Sequence, residues 1–389
     1  MGVIDSLYKR IEAGREGKNI GIPTGLPDLD KYTYGIQKGF MSTIFGDSGS
    51  GKTTYTLFTH VYKPLQYALE HNNIPVKILY FSLEMSPEVL LAKLLSLFIS
   101  DQFHVQISYK EILSLGGILD DDKFELICKA KAWLERVVQH LTIYDKAVNA
   151  VRVYNVVREW AGNFGTFMEE ESMEIYVPKN PDMYKIVVID HMRLLVGSDK
   201  KTEINTCADY LINLRDLCNL TVALVQQANR QIKSMDRRNG GYQYLQLDDM
   251  ADASGPAQGS EVVIGIYYPH REKRTTCEGY DIKKLRDHAR IIQILKHRYG
   301  VSDVMKGILF RGEIGYYKEL PNPNDGALNY DEILDYNYLY MDKPLSDNNI
   351  LDKLPPLDEE KDFTSTEDLF NDIDSSDGSS GLNFNFVFD

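Results

Sequence analysis

Short apolar runs alternate with longer stretches of helical period along most of this chain. Runs rich in Val, Ile, Leu and aromatic residues at 40–45, 76–83, 141–144, 185–190, 221–225, 262–268, 289–296 and 304–310 predict strands. Between them, 52–69, 87–98, 122–139, 149–161 and 204–217 carry apolar residues at spacings of three and four, which predicts helices. Strand and helix in alternation predict an α/β fold with a mostly parallel central sheet. The late strands after 262 have few helices between them, which predicts an antiparallel extension of that sheet. At the start, Val3, Ile4, Leu7 and Ile11 form the stripe of one short helix, ended by Gly14 and Gly17. A lone helix of that length is marginal in water and needs a partner. The segment from Glu169 to Pro181 is expected to be a surface loop.

Composition changes this picture in one place. The chain has 389 residues, 43% hydrophobic and 26% charged, enough to bury a core. Its formal charge of −14 is unevenly placed, with 13 acidic and 3 basic residues from 342 onward. That stretch, with Pro355-Pro356 and a Ser/Gly/Asp run, is expected to be disordered. It ends Phe384-Asn385-Phe386-Val387-Phe388-Asp389, which could serve as a docking peptide. The expected divisions are therefore 1–20 for the first helix, 21–341 for the folded body and 342–389 for an acidic tail. No apolar run approaches the roughly 20 residues a membrane span requires, and no secretory leader is visible. Cys128, Cys207, Cys218 and Cys277 are widely spaced and read as free thiols of a reducing, cytoplasmic compartment.

The clearest chemistry is Gly46-Asp47-Ser48-Gly49-Ser50-Gly51-Lys52-Thr53, a complete GxxxxGK[ST] phosphate loop, with Thr54 next in the helix. An apolar strand leads in and a helix leads out, the context in which backbone N–H groups and a helix dipole meet one anion. Lys52 would reach the β- and γ-phosphates of ATP, and the Thr53 hydroxyl would ligate Mg²⁺. Asp190 ends the apolar strand at 186–189 and supplies a second Mg²⁺-side oxygen. Glu84 follows the strand after the phosphate-loop helix. That strand is expected beside the phosphate-loop strand, with Glu84 facing the γ-phosphate to orient or deprotonate water.

At these residues the chain resembles the DnaB-type replicative helicases among the RecA-like ATPases. Gly21-Ile22-Pro23-Thr24-Gly25-Leu26 resembles the start of that family's motor domain. Ser82-Leu83-Glu84-Met85-Ser86 is similar to its catalytic-glutamate motif. Gln227-Ala228-Asn229-Arg230 is similar to its glutamine sensor, Asp249 to Gly255 to a DNA-loop segment, and Lys296-His297-Arg298-Tyr299-Gly300 to its late basic motif. The resemblance implies that Glu84 is the catalytic carboxylate and Asp190 the Walker-B acid. It implies that Gln227 senses the γ-phosphate, and that Lys296 and Arg298 reach the ATP of a neighbouring subunit, Arg298 as arginine finger. Residues i and i+2 on a strand share a face, so Lys296 and Arg298 project together with His297 opposite. Two adjacent cations call for an anion between them, and a neighbour's γ-phosphate would serve.

Single-stranded DNA contact is expected from Arg230, Lys233, Arg237 and Arg238, with Tyr242 and Tyr244 as stacking faces, and from Asp252, Ala253, Ser254 and Gly255. The resemblance further implies a homo-oligomeric ring of six, movement on single-stranded DNA and unwinding of forked duplexes. The first helix corresponds to the family's linker helix, which docks on the next subunit. Some 20 residues precede the motor, which leaves no room for the helical primase-binding domain of bacterial members. Primase, a polymerase or single-strand-binding protein are candidate partners for the tail, as in phage replication. A RecA-like recombinase filament, and a non-translocating ATP-dependent regulator or loader, are the rival readings.

Overall fold

The computed structural model describes residues 2–17, 19–70, 75–229, 244–250, 254–324, 326 and 328–341. Arg230, Lys233, Arg237, Arg238, Tyr242, Asp252, Ala253 and the tail from 342 lie outside the described residues.

The strands in chain order are β1 (Met41–Gly46), β2 (Val76–Ser82), β3 (Leu141–Tyr144), β4 (Gly165–Glu170), β5 (Met173–Pro178), β6 (Tyr184–Asp190), β7 (Thr221–Gln227), β8 (Val262–Tyr267), β9 (Thr276–Cys277), β10 (Tyr280–Asp281), β11 (Ala289–His297), β12 (Val304–Arg311) and β13 (Tyr316–Glu319). A nine-stranded sheet has the order β13-β12-β11-β8-β1-β7-β6-β2-β3. From β3 to β8 the neighbours run parallel, and β11, β12 and β13 extend the sheet antiparallel. This is the predicted α/β class. The central strands read as unbroken apolar runs because both faces are covered: Ile186–Ile189 and Val222–Val225 are fully buried.

One expected adjacency is wrong. β2 does not lie beside β1, because β7 and β6 stand between them. The helical run 52–70 that joins β1 to β2 is about 28 Å long at 1.5 Å per residue. Three inter-strand steps need only about 14 Å, so the connection can cross two strands. The places next to β1 go to the apolar β7 and β8.

The expected loop at 169–181 is also wrong. β4 and β5 form an antiparallel hairpin, paired from Gly165↔Pro178 to Glu170↔Met173. Its inner face packs on helix 150–162: Tyr176 donates to the carbonyl of Ala161 at 2.9 Å, and Arg158 pairs with Glu174. Met173-Glu174-Ile175-Tyr176-Val177 alternates as a strand should, but the run of three glutamates before it reads as a loop.

The first helix spans Val3–Arg15. Its stripe is uncovered, with Val3 88%, Ile4 70%, Leu7 55% and Ile11 50% exposed. No helix among the described residues is long and apolar enough to cross a membrane.

Candidate active site

The register of the sheet brings the phosphate loop, Asp190 and Gln227 to one edge. Gly46 at the end of β1 pairs with Gln227 on one side and Ile266 on the other, while Asp190 at the end of β6 pairs with Ser82 of β2. Beyond Ser82 the chain turns, with the Ser82 hydroxyl donating to the Met85 carbonyl at 2.6 Å, and Glu84 sits exposed on that turn. Its carboxylate comes within 3.8 Å of His191 Nε2, on the residue after Asp190. Glu84 therefore reaches the site over the end of β6 rather than from the strand next to β1.

Within the loop, Asp47 Oδ1 accepts from the Ser48 N–H at 2.8 Å, and the Asp47 carbonyl accepts from Ser50 N at 3.1 Å and Lys52 Nζ at 2.9 Å. Gly51 has φ +104, a conformation only glycine adopts at low cost, and a Cβ there would meet the Tyr317 hydroxyl at 2.4 Å. Lys52 is buried, and desolvation lowers its ammonium to about 8 against the pull of Asp190, Asp47 and Glu84. Thr53 lies in the first turn of the helix that Lys52 opens, and its hydroxyl donates to Asp190 Oδ1 at 3.1 Å. Tyr80 donates to Asp190 Oδ2 at 2.6 Å. Asp190 is fully buried, and that burial raises its carboxyl although both hydrogen bonds pull it down.

The carbonyls of the loop are tied from behind by residues that sequence reasoning missed. Arg290 Nε donates to Ser50 O at 2.7 Å, and its guanidinium lies 3.6 Å from the Tyr268 ring centre and 4.5 Å from that of Phe310. Tyr317 donates to Gly51 O at 2.8 Å, and Arg271 donates to Ser48 O. These bonds fix the loop carbonyls, so they do not compete for the face where an anion would meet backbone N–H groups. The available signal for Arg290 was a lone charge inside the apolar strand Ala289-Arg290-Ile291-Ile292.

Gln227 Oε1 accepts from Arg193 Nη1 at 3.5 Å. The next residue, Ala228, donates its N–H to Gly46 O at 2.9 Å and bridges to Met250, and Asn229 N donates to Asp249 O at 2.6 Å. The end of β7 thus joins the phosphate loop to the segment running toward Ser254 and Gly255. Gly255 N is held by Asn205 Oδ1 at 3.0 Å, and Ser254 accepts from Gln258. Tyr244 is engaged within the chain, donating to Glu278 with its ring edge-on to Tyr267.

Lys296 and Arg298 are not brought to this edge. β11 pairs antiparallel with β8, His297 opposite Val262, so both cations sit at the far end of β1 and β8 from the phosphate loop. About 15 Å of strand separates the two ends. His297 turns away against the ring of Tyr34, 5.4 Å between centres. Of the two cations, Arg298 meets a carboxylate of this chain and Lys296 meets backbone carbonyls. Arg298 Nη1 donates to Glu261 Oε1 at 2.8 Å, and Lys296 Nζ donates to the carbonyls of Ala257 and Gln258, each at 2.8 Å. A carboxylate just before an apolar strand reads as an ordinary strand boundary, so Glu261 was missed.

Residues 21–319 match the family described as DnaB-like helicase C terminal domain. The chain belongs to that family. Among curated proteins, the replicative DNA helicase DnaB of Helicobacter pylori (strain ATCC 700392 / 26695) is 26% identical over 254 residues, 64% of this chain and 43% of that protein. The Rickettsia prowazekii (strain Madrid E) protein of the same name is 23% identical over 309 residues, 76% of this chain and 55% of its own. The chain thus spans about half the length of these curated relatives. A solved ATPase domain superposes with TM-score 0.61 at 20% identity, covering 82% of this chain and all of that domain. A DnaB-like replicative helicase, solved in a study of its interactions with primase, gives TM-score 0.61 at 18% identity over 82% of this chain and 68% of that one. In this DnaB-like frame the sheet, its phosphate loop and the antiparallel extension form one unit.

Proposed function

We propose that this DnaB-like chain is the motor of a replicative DNA helicase, hydrolysing ATP in pockets shared between protomers and moving along single-stranded DNA to open forked duplexes. The observation that carries this reading is the placement of the phosphate loop and the Lys296–Arg298 pair at opposite ends of one sheet. A guanidinium so far from its own loop cannot reach the triphosphate held there, which supports a role toward a neighbour's. Gly46 to Thr54 hold the phosphates, with Lys52 at the β/γ position. Thr53 and Asp190 offer hard oxygen donors at 3.1 Å from one another, the donor set a Mg²⁺ ion takes, so the residues fit that ion. When bound, Mg²⁺ neutralises charge on the β- and γ-phosphate oxygens. Glu84, exposed beside His191, orients the attacking water and accepts its proton. Arg298 from the next protomer stabilises the charge that develops on the transferred phosphoryl group.

Gln227 senses the γ-phosphate. The backbone ties through Ala228 and Asn229 pass its state toward Ser254 and Gly255, which with Arg230, Lys233, Arg237, Arg238, Asp252 and Ala253 track the DNA backbone. The uncovered stripe of the first helix docks on the adjacent protomer, closing a ring of six. Residues 21–341 are the motor, and the acidic tail from 342 recruits primase, polymerase or single-strand-binding protein. The test is to size the protein with ATP, Mg²⁺ and single-stranded DNA, then assay forked-duplex unwinding in the same sample. Rings that unwind are expected. Filaments point to a recombinase, and assemblies that hydrolyse ATP without unwinding point to a regulator or loader.

A further inference from the structure

Glu261 is 3% exposed and immediately precedes β8, where three donors converge on it. Oε2 accepts from the N–H of Met41, the first residue of β1, at 2.7 Å. Arg215 Nη1 donates to both oxygens, at 3.0 and 2.8 Å. Arg298 Nη1 donates to Oε1 at 2.8 Å. Arg215 is itself buried, 7% exposed, and its outer edge is taken by Asp216, with Nε at 2.8 Å and Nη2 at 2.7 Å. Arg298 differs: its side chain is 43% exposed, with only Nη1 engaged by Glu261.

A buried carboxylate anchored by a backbone N–H and a second arginine is a fixed point. One hydrogen bond to it restricts Arg298, a long side chain that otherwise loses rotamer freedom only when it meets its target. The bond engages one terminal nitrogen and leaves the rest of the planar fork for a phosphate. The carboxylate also offsets part of the guanidinium's charge before any phosphate arrives. Buried Arg215 balances the charge of buried Glu261, while Asp216 on its outer edge is 63% exposed, so Glu261 is held even when Arg298 swings.

We propose that Glu261 is the positioning residue of Arg298, pre-aiming its guanidinium at the neighbouring protomer's γ-phosphate while Met41 N and Arg215 hold the carboxylate in place. This rests on the trans role of Arg298 given above. Glu261 acts on the rate of the neighbour's chemical step, through Arg298, and not on nucleotide binding in its own chain.

The test compares ATPase kinetics of assembled parental protein, Glu261→Gln, Arg298→Ala and the double variant, with assembly followed by sizing. Glu261→Gln should lower kcat by about tenfold to a hundredfold, the scale of a misplaced catalytic group, with KM within about twofold. Glu261→Asp, which keeps the charge on a shorter stem, should lie between the two. In the Arg298→Ala background, Glu261→Gln should cost nothing further. Mixed assemblies give a readout that a structural lesion would not move. Lys52→Ala chains carry a sound Arg298 but a dead phosphate loop, so mixing them with Glu261→Gln chains should raise turnover per live loop several-fold. Should Glu261→Gln fail to assemble, Glu261→Asp carries the mixing experiment. Absence of rescue, or a Glu261→Gln loss that adds fully to that of Arg298→Ala, overturns the proposal. An Arg298→Ala protein at the parental rate overturns the trans reading itself, whereas a slow Arg298→Ala beside a fast Glu261→Gln overturns only the role of Glu261.

Discussion

Tyr80 and Asp190 meet through a 2.6 Å hydrogen bond in which the phenol donates to Oδ2, leaving Oδ1 to the Thr53 hydroxyl at 3.1 Å. Tyr80 is wholly buried in β2, on the strand beside the one that carries Asp190. The bond fixes the rotation of a carboxylate that would otherwise pivot at the end of its strand. Tyr80→Phe should lower stability by about 1–3 kcal/mol, the cost of a buried acceptor losing its donor. It should also raise the Mg²⁺ concentration for half-maximal ATPase several-fold. A Mg²⁺ titration of turnover, with thermal melts alongside, checks both, and an unchanged Mg²⁺ requirement would remove Tyr80 from the site.

Arg290 supports the phosphate loop through a hydrogen bond and a sandwich between two rings. Lysine can supply the charge but not the planar face and the Nε–H together. Arg290→Lys should therefore weaken binding of a fluorescent ATP analogue by about tenfold, equivalent to about 1.4 kcal/mol. Equal affinity in the two proteins would show that the loop holds its shape unaided.

Gly51 tests the same support from the other side. Gly51→Ala places a methyl group at φ +104 and 2.4 Å from the Tyr317 hydroxyl. The expected result is loss of nucleotide binding with a stability cost of about 1–3 kcal/mol. Tyr317→Phe removes the hydroxyl without the backbone conflict and should bind nucleotide nearly normally. If Gly51→Ala still binds ATP, the loop is softer than its contacts imply.

Arg298→Ala should leave nucleotide binding nearly intact and cut turnover by about a thousandfold or more, the scale of a lost arginine finger. Equilibrium binding beside steady-state ATPase separates the two effects.

Asp30 makes folding itself pH-dependent. It accepts from Thr24 N at 2.9 Å and from the Thr24 hydroxyl at 2.7 Å, yet burial raises its carboxyl from 3.8 to about 6. Between those values the folded chain holds a proton that the unfolded chain has lost. Stability from this residue is thus full below about pH 4 and falls as pH rises through about 6. The span corresponds to at most about 3 kcal/mol. Asp30→Asn, which stays neutral throughout, should show none of that slope. Denaturant melts of both proteins from pH 4 to 7 decide it: parallel stability profiles would mean that Asp30 titrates normally.

The sheet was legible because its central strands are buried on both faces and announce themselves as continuous apolar runs. The phosphate loop was legible because its glycines and lysine fall at fixed spacing within the single stretch Gly46 to Thr53. Strand order was not. The helical crossing from β1 to β2 is long enough to pass over two strands, and nothing local to either strand records how many it passes. The hairpin β4–β5 was hidden because one of its faces meets water, so glutamates interrupt its alternation. Arg290, Tyr80 and Glu261 were hidden for a third reason: each works through a partner distant in sequence. Arg290 meets Ser50, Tyr80 meets Asp190 and Glu261 meets Arg215, and only the folded register puts those pairs in reach.

On the reading proposed here, the distance between the phosphate loop and Arg298 gives each protomer a head and a tail. Joined head to tail, such units have no two-fold axis relating neighbours, and they either close on themselves or continue as an open helix. An open row always leaves one protomer with a triphosphate but no neighbour to complete the pocket. Breaking a closed circle to admit a DNA strand therefore silences one firing position, and resealing restores it, so the assembly's fuel consumption reports whether it has shut around its track.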